Sequence, residues 1–227
     1  MRGVTIYHGS VNTIEKPVFG KGNIRNDYGL GFYCTENIEL AKEWACNSLA
    51  GGFVNIYEID TSEFDILYLN APEYGILNWL AVLVNNRVFS ADAPIIAEGI
   101  EYLTEFFYIN INQYDVIKGY RADDSYFSFA TDFLSNTISL RQLKKAMHLG
   151  SLGEQFVIKS KKAFNTLRFI HAEPVDGSIY YIKRYDRDKQ ARDQYFNRER
   201  MSPRLRDDIF MLDILREEMK RGDARLQ

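Results

Sequence analysis

Runs of β-branched and aromatic residues alternate with amphipathic helical stretches along this chain, but never as a regular strand–helix–strand repeat. That irregularity points away from a doubly wound parallel sheet. It points to an α+β fold of mixed or antiparallel strands with flanking helices. The sequence also has no Gly-x-Gly-x-x-Gly after a strand, no P-loop and no internal repeat, so a bound dinucleotide would not lie on a Rossmann domain. With 227 residues, 46% of them apolar, the chain is large enough for one packed domain and an appendage. Its 15 Tyr and 15 Phe favour strands and a cleft lined for stacking.

Val4 to His8 reads as a strand running into a Gly9-Ser10 turn, and residues 11 to 31 as a Gly- and Asn-rich loop suited to a lid. After a short strand at Phe32 to Cys34, Thr35 or Asn37 caps a helix whose Leu40, Ala41, Trp44, Ala45 and Leu49 share a stripe, with Gly51-Gly52 as its stop. That stripe turns Trp44 toward the strand carrying Tyr33. Strands are predicted at Phe53 to Asp60, Phe64 to Leu69, Tyr114 to Tyr120, Glu154 to Ser160 and Asn165 to Phe169. Helices are predicted from Glu73 to about Arg87, from about Ile95 to Phe107, and from Ser125 to Leu134, the last capped by the Asp123-Asp124 pair. That acidic pair is alternatively a substrate contact. Ser139 and Gln142 form a capping box for a helix ending near Gly150.

The composition changes near Tyr180. Lys183–Arg225 holds 13 basic and 10 acidic residues, a local excess of positive charge in a chain of net charge −3. The expected division is therefore a domain over residues 1–179 and a charged helical extension over 180–227. Pro203 behind Ser202 and Gly222 bracket a helix with Ile209, Phe210, Leu212, Leu215 and Met219 on its apolar face. It would pack back on the domain, or else dock a neutralising partner or nucleic acid. Cys34 and Cys46 have no metal-ligand spacing and read as buried thiols; no metal is expected. The Met1–Thr5 start lacks an apolar signal segment, and the longest apolar run, Trp79 to Val84, is too short to span a bilayer. A cytoplasmic protein with no membrane partner is the expectation.

Four short segments carry the chemistry: Tyr7-His8-Gly9-Ser10, Asp27-Tyr28-Gly29-Leu30-Gly31-Phe32-Tyr33, Trp44, and Glu154-Gln155-Phe156-Val157-Ile158. In order and spacing they resemble the ADP-ribosyltransferases, specifically the His-Tyr-Glu branch of the poly(ADP-ribose) polymerases and diphtheria-type toxins. The chain is most similar to bacterial domains of that branch that look like toxin or defence effectors, over roughly residues 4 to 170. The resemblance implies a split-sheet fold and NAD as substrate. It departs from that branch at Ala41, where the polymerases carry a serine, and Leu152 argues against the arginine-modifying branch.

Cleaving the nicotinamide–ribose bond builds positive charge on the sugar, so a carboxylate must stand beside it and the base must be held rigidly. By the resemblance, His8, Tyr33 and Glu154 are the catalytic set. Glu154 would meet the oxocarbenium and orient the acceptor, and His8 would donate to a ribose hydroxyl. Gly9 would pair its backbone with the nicotinamide amide, where a side chain would block the approach. Tyr33 and Trp44 would sandwich the ring. Ser10 and Asp27 are candidates for the adenosine ribose, and Arg25 for the pyrophosphate. Gln155 has no assigned role. The implied activity is transfer of ADP-ribose to a protein, DNA or RNA acceptor, with an antitoxin as possible partner of the C-terminal helices. The alternatives are an inactive NAD- or ADP-ribose-binding module, and an NAD glycohydrolase without an acceptor.

Overall fold

The fold is that of a computed structural model, which describes residues 3–122, 124–149 and 153–226, with residues 124 and 125 by backbone alone. The carboxyl groups of Asp123 and Asp124, and Leu152, lie outside the described residues. With 41% helix and 19% strand in two sheets, the class is α+β.

By its internal contacts the chain divides into two compact units, residues 1–68, 111–121 and 152–188, and residues 69–110, 122–151 and 189–227. This differs from a single boundary between residues 179 and 180. Compositional bias marks where surface charge changes, whereas the units are set by which strands pair, and strand pairing draws in residues 111–121 and 152–188.

The first unit holds both sheets. Strands β1 (Gly3–Ser10), β3 (Gly52–Asp60) and β7 (Arg168–Val175) form one antiparallel sheet in the order β1-β3-β7. Strands β2 (Phe32–Cys34), β4 (Ile66–Tyr68), β5 (Val116–Tyr120) and β6 (Glu154–Ile158) form the other in the order β2-β6-β5-β4, parallel only between β4 and β5. A bridge between Tyr7 and Thr35 links β1 to β2. Ile6, Cys34, Tyr57, Ile59, Val116, Phe156 and Ile158 form a buried cluster with Phe32 packed against it. Alternation along each strand supplies its members.

Helix α1 (Ile38–Ala45) begins where Asn37 accepts from the N–H groups of Glu39 and Leu40, which selects Asn37 over Thr35 as the cap. It ends at Ala45, earlier than the Gly51-Gly52 stop, and Leu49 is 64% exposed. Gly52 already belongs to β3, where it pairs with Val175 of β7, and residues 46–51 form the connection. Ala41 and Ala45 pack on Val54 and Ile56 of β3, with Tyr7 alongside.

The second unit is helical. Helix α2 (Ile76–Asn86) buries Leu77 through Val84, and α3 (Pro94–Phe106) starts on its proline. Asn78 of α2 ties the two together, accepting from Gly75 N–H and donating to the Phe107 carbonyl at 2.8 Å. Helix α4 covers Asp124–Leu134, and α5 (Leu140–Ala146) carries the expected Ser139/Gln142 capping box.

Two expectations fail at the C-terminal side. Residues 161–165 form a short helix, α6 (Lys161–Asn165), because Ser160 caps it by accepting from Ala163 N–H; the strand starts only at Arg168 and runs to Val175. Helix α7 (Gly177–Gln194) opens the charged segment, starting three residues before the expected boundary at 180. The helix expected between Pro203 and Gly222 shrinks to α8 (Met211–Arg216). Asp208 explains that loss. Its carboxylate accepts from Leu205 N–H and from the Arg141 guanidinium at 2.7 and 2.9 Å, holding residues 205–208 as a turn. Asp213 then caps α8 through Phe210 N–H, and Glu218, at φ 49°, ends it. Among the described residues no helix is long and apolar enough to cross a membrane.

Candidate functional site

The predicted site residues all lie in the first unit. The segments with His8, Tyr33 and Glu154 occupy β1, β2 and β6, and β2 stands between the other two, bridged to β1 and paired with β6. Residues far apart in sequence thus occupy three neighbouring strands.

His8 and Tyr33 are joined directly. His8 Nδ1 lies 2.7 Å from the Tyr33 carbonyl oxygen, and its ring stacks on Phe32 with centroids 4.6 Å apart. A carbonyl only accepts, so Nδ1 carries the proton of the neutral ring. Burial lowers the imidazole pKa below its ordinary 6.5, against the opposing pull of that hydrogen bond. The ring is therefore neutral at pH 7 and presents Nε2 as a lone pair. This corrects the expectation that His8 donates to a ribose hydroxyl: it can accept from one.

Glu154 stands apart from that pair. The Tyr7–Thr35 bridge sets His8 opposite Cys34, and Cys34 pairs with Phe156. Glu154 is two positions further along β6, so the Cα atoms of His8 and Glu154 are roughly 12 Å apart by strand spacing and rise. Two openings sit at opposite ends of the β2–β6 pair. One, a cavity of about 480 Å³, is lined by His8, Tyr33, Phe32, Phe164 and Lys159. The other, a cleft of about 270 Å³, is lined by Glu154 with Glu36, Asn37 and Leu40. The acid and the imidazole do not share one pocket.

Alternation along β6 divides Glu154 from its neighbour. Glu154, Phe156 and Ile158 share one face; Gln155 and Val157 share the other, with Tyr33 opposite Val157. Gln155 is 6% exposed, and its Nε2 donates to Asp27 Oδ2 at 3.1 Å, while its own Oε1 is buried without a hydrogen-bond partner. Asp27 is 3% exposed, so it is an interior group in contact with Gln155 rather than a free ribose ligand. Sequence reasoning left Gln155 without a role, although the two-residue period of a strand separates it from Glu154.

Gly9 has a second reason to be glycine. A Cβ built on it would lie 2.1 Å from the Ala41 carbonyl oxygen and 2.6 Å from Ala45 N. The backbone of α1, rather than a ligand, occupies that side. Tyr7 uses its N–H and C=O for the bridge to Thr35, and alternate residues of an antiparallel strand share an edge. The N–H and C=O of Gly9 therefore point to the same β2-facing edge, as pairing with an amide requires.

Trp44, half-buried on α1, lies under the Arg121 guanidinium, 4.8 Å from its ring centroid, and lines neither opening; its indole Nε1 is buried with no hydrogen-bond partner. The Tyr33 hydroxyl donates to the Gly29 carbonyl at 2.6 Å and accepts from Tyr28 N–H. The predicted sandwich is not assembled from these two rings: Tyr33 is tied into the 28–33 turn and Trp44 to Arg121.

Ser10 belongs to a network centred on buried Asn55. Asn55 donates to Ser10 Oγ at 2.9 Å and to the His8 carbonyl at 3.2 Å, and accepts from Ile14 N–H at 2.6 Å. Arg25 is exposed and outside both openings; Lys16, Lys21 and Lys159 bring positive charge to the His8 cavity instead. Lys21 stands between Gly20 and Gly22, and Lys16 lies four residues before that pair in the same loop. The place of Lys159 depends on the strand register. Cys34 and Cys46 are buried free thiols. Among the described residues no group of three or more His, Cys, Asp or Glu side chains could hold a metal ion.

A family model described as a protein of unknown function (DUF3990) matches residues 4–169, and the chain belongs to that family. No curated protein and no solved structure matches it.

Proposed function

From this geometry and the resemblance carried by the four segments, we propose that the chain is an NAD-dependent ADP-ribosyltransferase that breaks the nicotinamide–ribose bond and passes ADP-ribose to a macromolecule. One observation carries the reading: β1, β2 and β6 lie side by side, with His8 fastened to the Tyr33 carbonyl at 2.7 Å. The Cα separation of His8 and Glu154, roughly 12 Å by strand spacing and rise, suits a ligand of two nucleosides joined by a pyrophosphate, which is longer than that when extended. The ADP half would lie at His8, whose Nε2 accepts from a ribose hydroxyl. The nicotinamide riboside would reach toward Glu154.

In the reaction the C1′–N bond breaks and nicotinamide leaves with the electron pair. The Glu154 carboxylate stabilises the positive sugar, and the acceptor nucleophile bonds to C1′ as its proton passes to solvent water. In this placement the edge amide and carbonyl of Gly9, next to His8 on β1, face the ADP half, and the buried Nε1 of Trp44 on α1 is an unused donor. A bacterial effector role, with a neutralising partner at the C-terminal helices, belongs to the same proposal.

The separate cleft of Glu154 favours a second reading, a module that binds NAD or ADP-ribose without turnover. NAD labelled in the nicotinamide ring separates the two. Release of nicotinamide, falling a hundredfold or more in Glu154→Gln with NAD affinity nearly unchanged, supports the transferase. Folded protein that releases none supports the module. Free ADP-ribose with no labelled macromolecule would make the chain a glycohydrolase.

A further inference from the structure

We propose that the cavity beside His8 is a nucleoside diphosphate site, in which Lys16 and Lys21 take the phosphates and Phe19 and Phe164 take the base. The proposal rests on the NAD reading only for the identity of the larger ligand. The cavity itself, at about 480 Å³, has the size of a small-ligand pocket. Three lysines line it and no Asp or Glu does. Lys16 and Lys21 are exposed on the β1–β2 loop, and among the described residues no ion pair engages either. Two such ammonium groups facing one hollow without a counter-ion repel each other, and a polyanion between them removes that repulsion.

Lys159 closes the floor. Its Nζ donates to the Tyr28 and Leu30 carbonyls at 2.7 and 2.6 Å, which leaves the third N–H for a ligand. Those two bonds also fix the turn that forms one wall. The opposite wall is aromatic: Phe164 meets Phe19 edge-on at 5.6 Å and Phe32 at 6.0 Å, and Phe32 continues to His8. Phe19 keeps 45% of its surface exposed on the loop, a large apolar ring that a base would cover. Gly22 lets the loop lie this close, since a Cβ there would fall 2.7 Å from the Gly31 carbonyl oxygen. Between the lysines and the rings, His8 Nε2 is placed to accept from the sugar.

Calorimetric titration of the full chain with ADP, adenosine and inorganic pyrophosphate tests this. ADP should bind at least tenfold more tightly than adenosine, with affinity falling as salt rises. Lys16→Ala/Lys21→Ala should weaken ADP at least tenfold and leave adenosine unchanged. Phe19→Ala should weaken ADP and adenosine alike and spare pyrophosphate. All three side chains are exposed, so the variants should melt like the wild type. ADP binding no tighter than adenosine, or undiminished in the double lysine variant, overturns the site. Nicotinamide release keeps the two proposals separable. Turnover with an unchanged KM in the lysine variant removes this site and leaves the transferase. Lysine-dependent ADP binding without nicotinamide release does the reverse.

Discussion

Gly9→Ala tests whether α1 is seated on β1 as closely as the structure has it. The added carbon would lie 2.1 Å from Ala41 O, 2.6 Å from Ala45 N and 3.0 Å from the Trp44 carbonyl carbon, all backbone atoms of the helix. No side-chain rotation relieves such a contact, so α1 must retreat by about 1 Å to restore ordinary separations. A gap of that size forfeits a quarter to a half of the dispersion attraction across the interface. The interface includes Ala41 and Ala45, both fully buried, packed on Val54 and Ile56. The expected loss is about 3 kcal/mol, within the upper range for overpacked cores. With a urea slope of about 2 kcal/mol per molar, the denaturation midpoint should fall by roughly 1.5 M. Gly3→Ala is the control, because nothing lies within 4 Å of a Cβ there. If Gly9→Ala unfolds at the wild-type midpoint and loses only NAD binding, the close helix packing is refuted and the glycine serves the ligand alone.

Trp44→Phe keeps an aromatic face and removes a buried donor that has no partner, so the free protein should be as stable as the wild type or slightly more so. If Nε1 serves the ligand, the same variant should bind NAD several-fold more weakly; unchanged binding by calorimetry would return Trp44 to packing alone. The His8 ring should titrate below 6.5 in an NMR pH series. Because folding lowers that pKa, its contribution to stability is present above 6.5 and is lost as the pH falls from 6.5 toward the folded value, which His8→Gln should abolish in melts at pH 5 and 7. Arg141→Ala should destabilise the helical unit by about 2 kcal/mol at pH 7, since it strands the buried Asp208 carboxylate. Asp208 is held down to about 2 by that guanidinium, so its contribution is present above the ordinary 3.8 and fades as the pH drops toward 2. A wild-type melting temperature in Arg141→Ala would refute the pairing.

Where a local rule decided the outcome, the sequence was readable. Asn37 and the Ser139/Gln142 pair cap their helices through their own backbone neighbours, and β3, β5 and β6 follow from β-branched and aromatic runs. Alternation on β6 would also have parted Glu154 from Gln155. Long-range partners were hidden. Nothing near Pro203 announces that Arg141 pins Asp208 and stops a helix there, and nothing near Leu49 shows β7 pairing with Gly52 at the start of β3.

The amino-acid order alone settled the mix of helices and strands and which segments carry chemically able side chains, because those depend on periodicity, caps and residue type within a few positions. Only the three-dimensional pairing decided that His8 Nδ1–H donates a hydrogen bond to the Tyr33 carbonyl, that Glu154 opens at the far end of the strand pair, and that lysines gather around His8. Those outcomes depend on register between strands distant in the chain. One step in register moves a side chain to the opposite face, and no local pattern records that step.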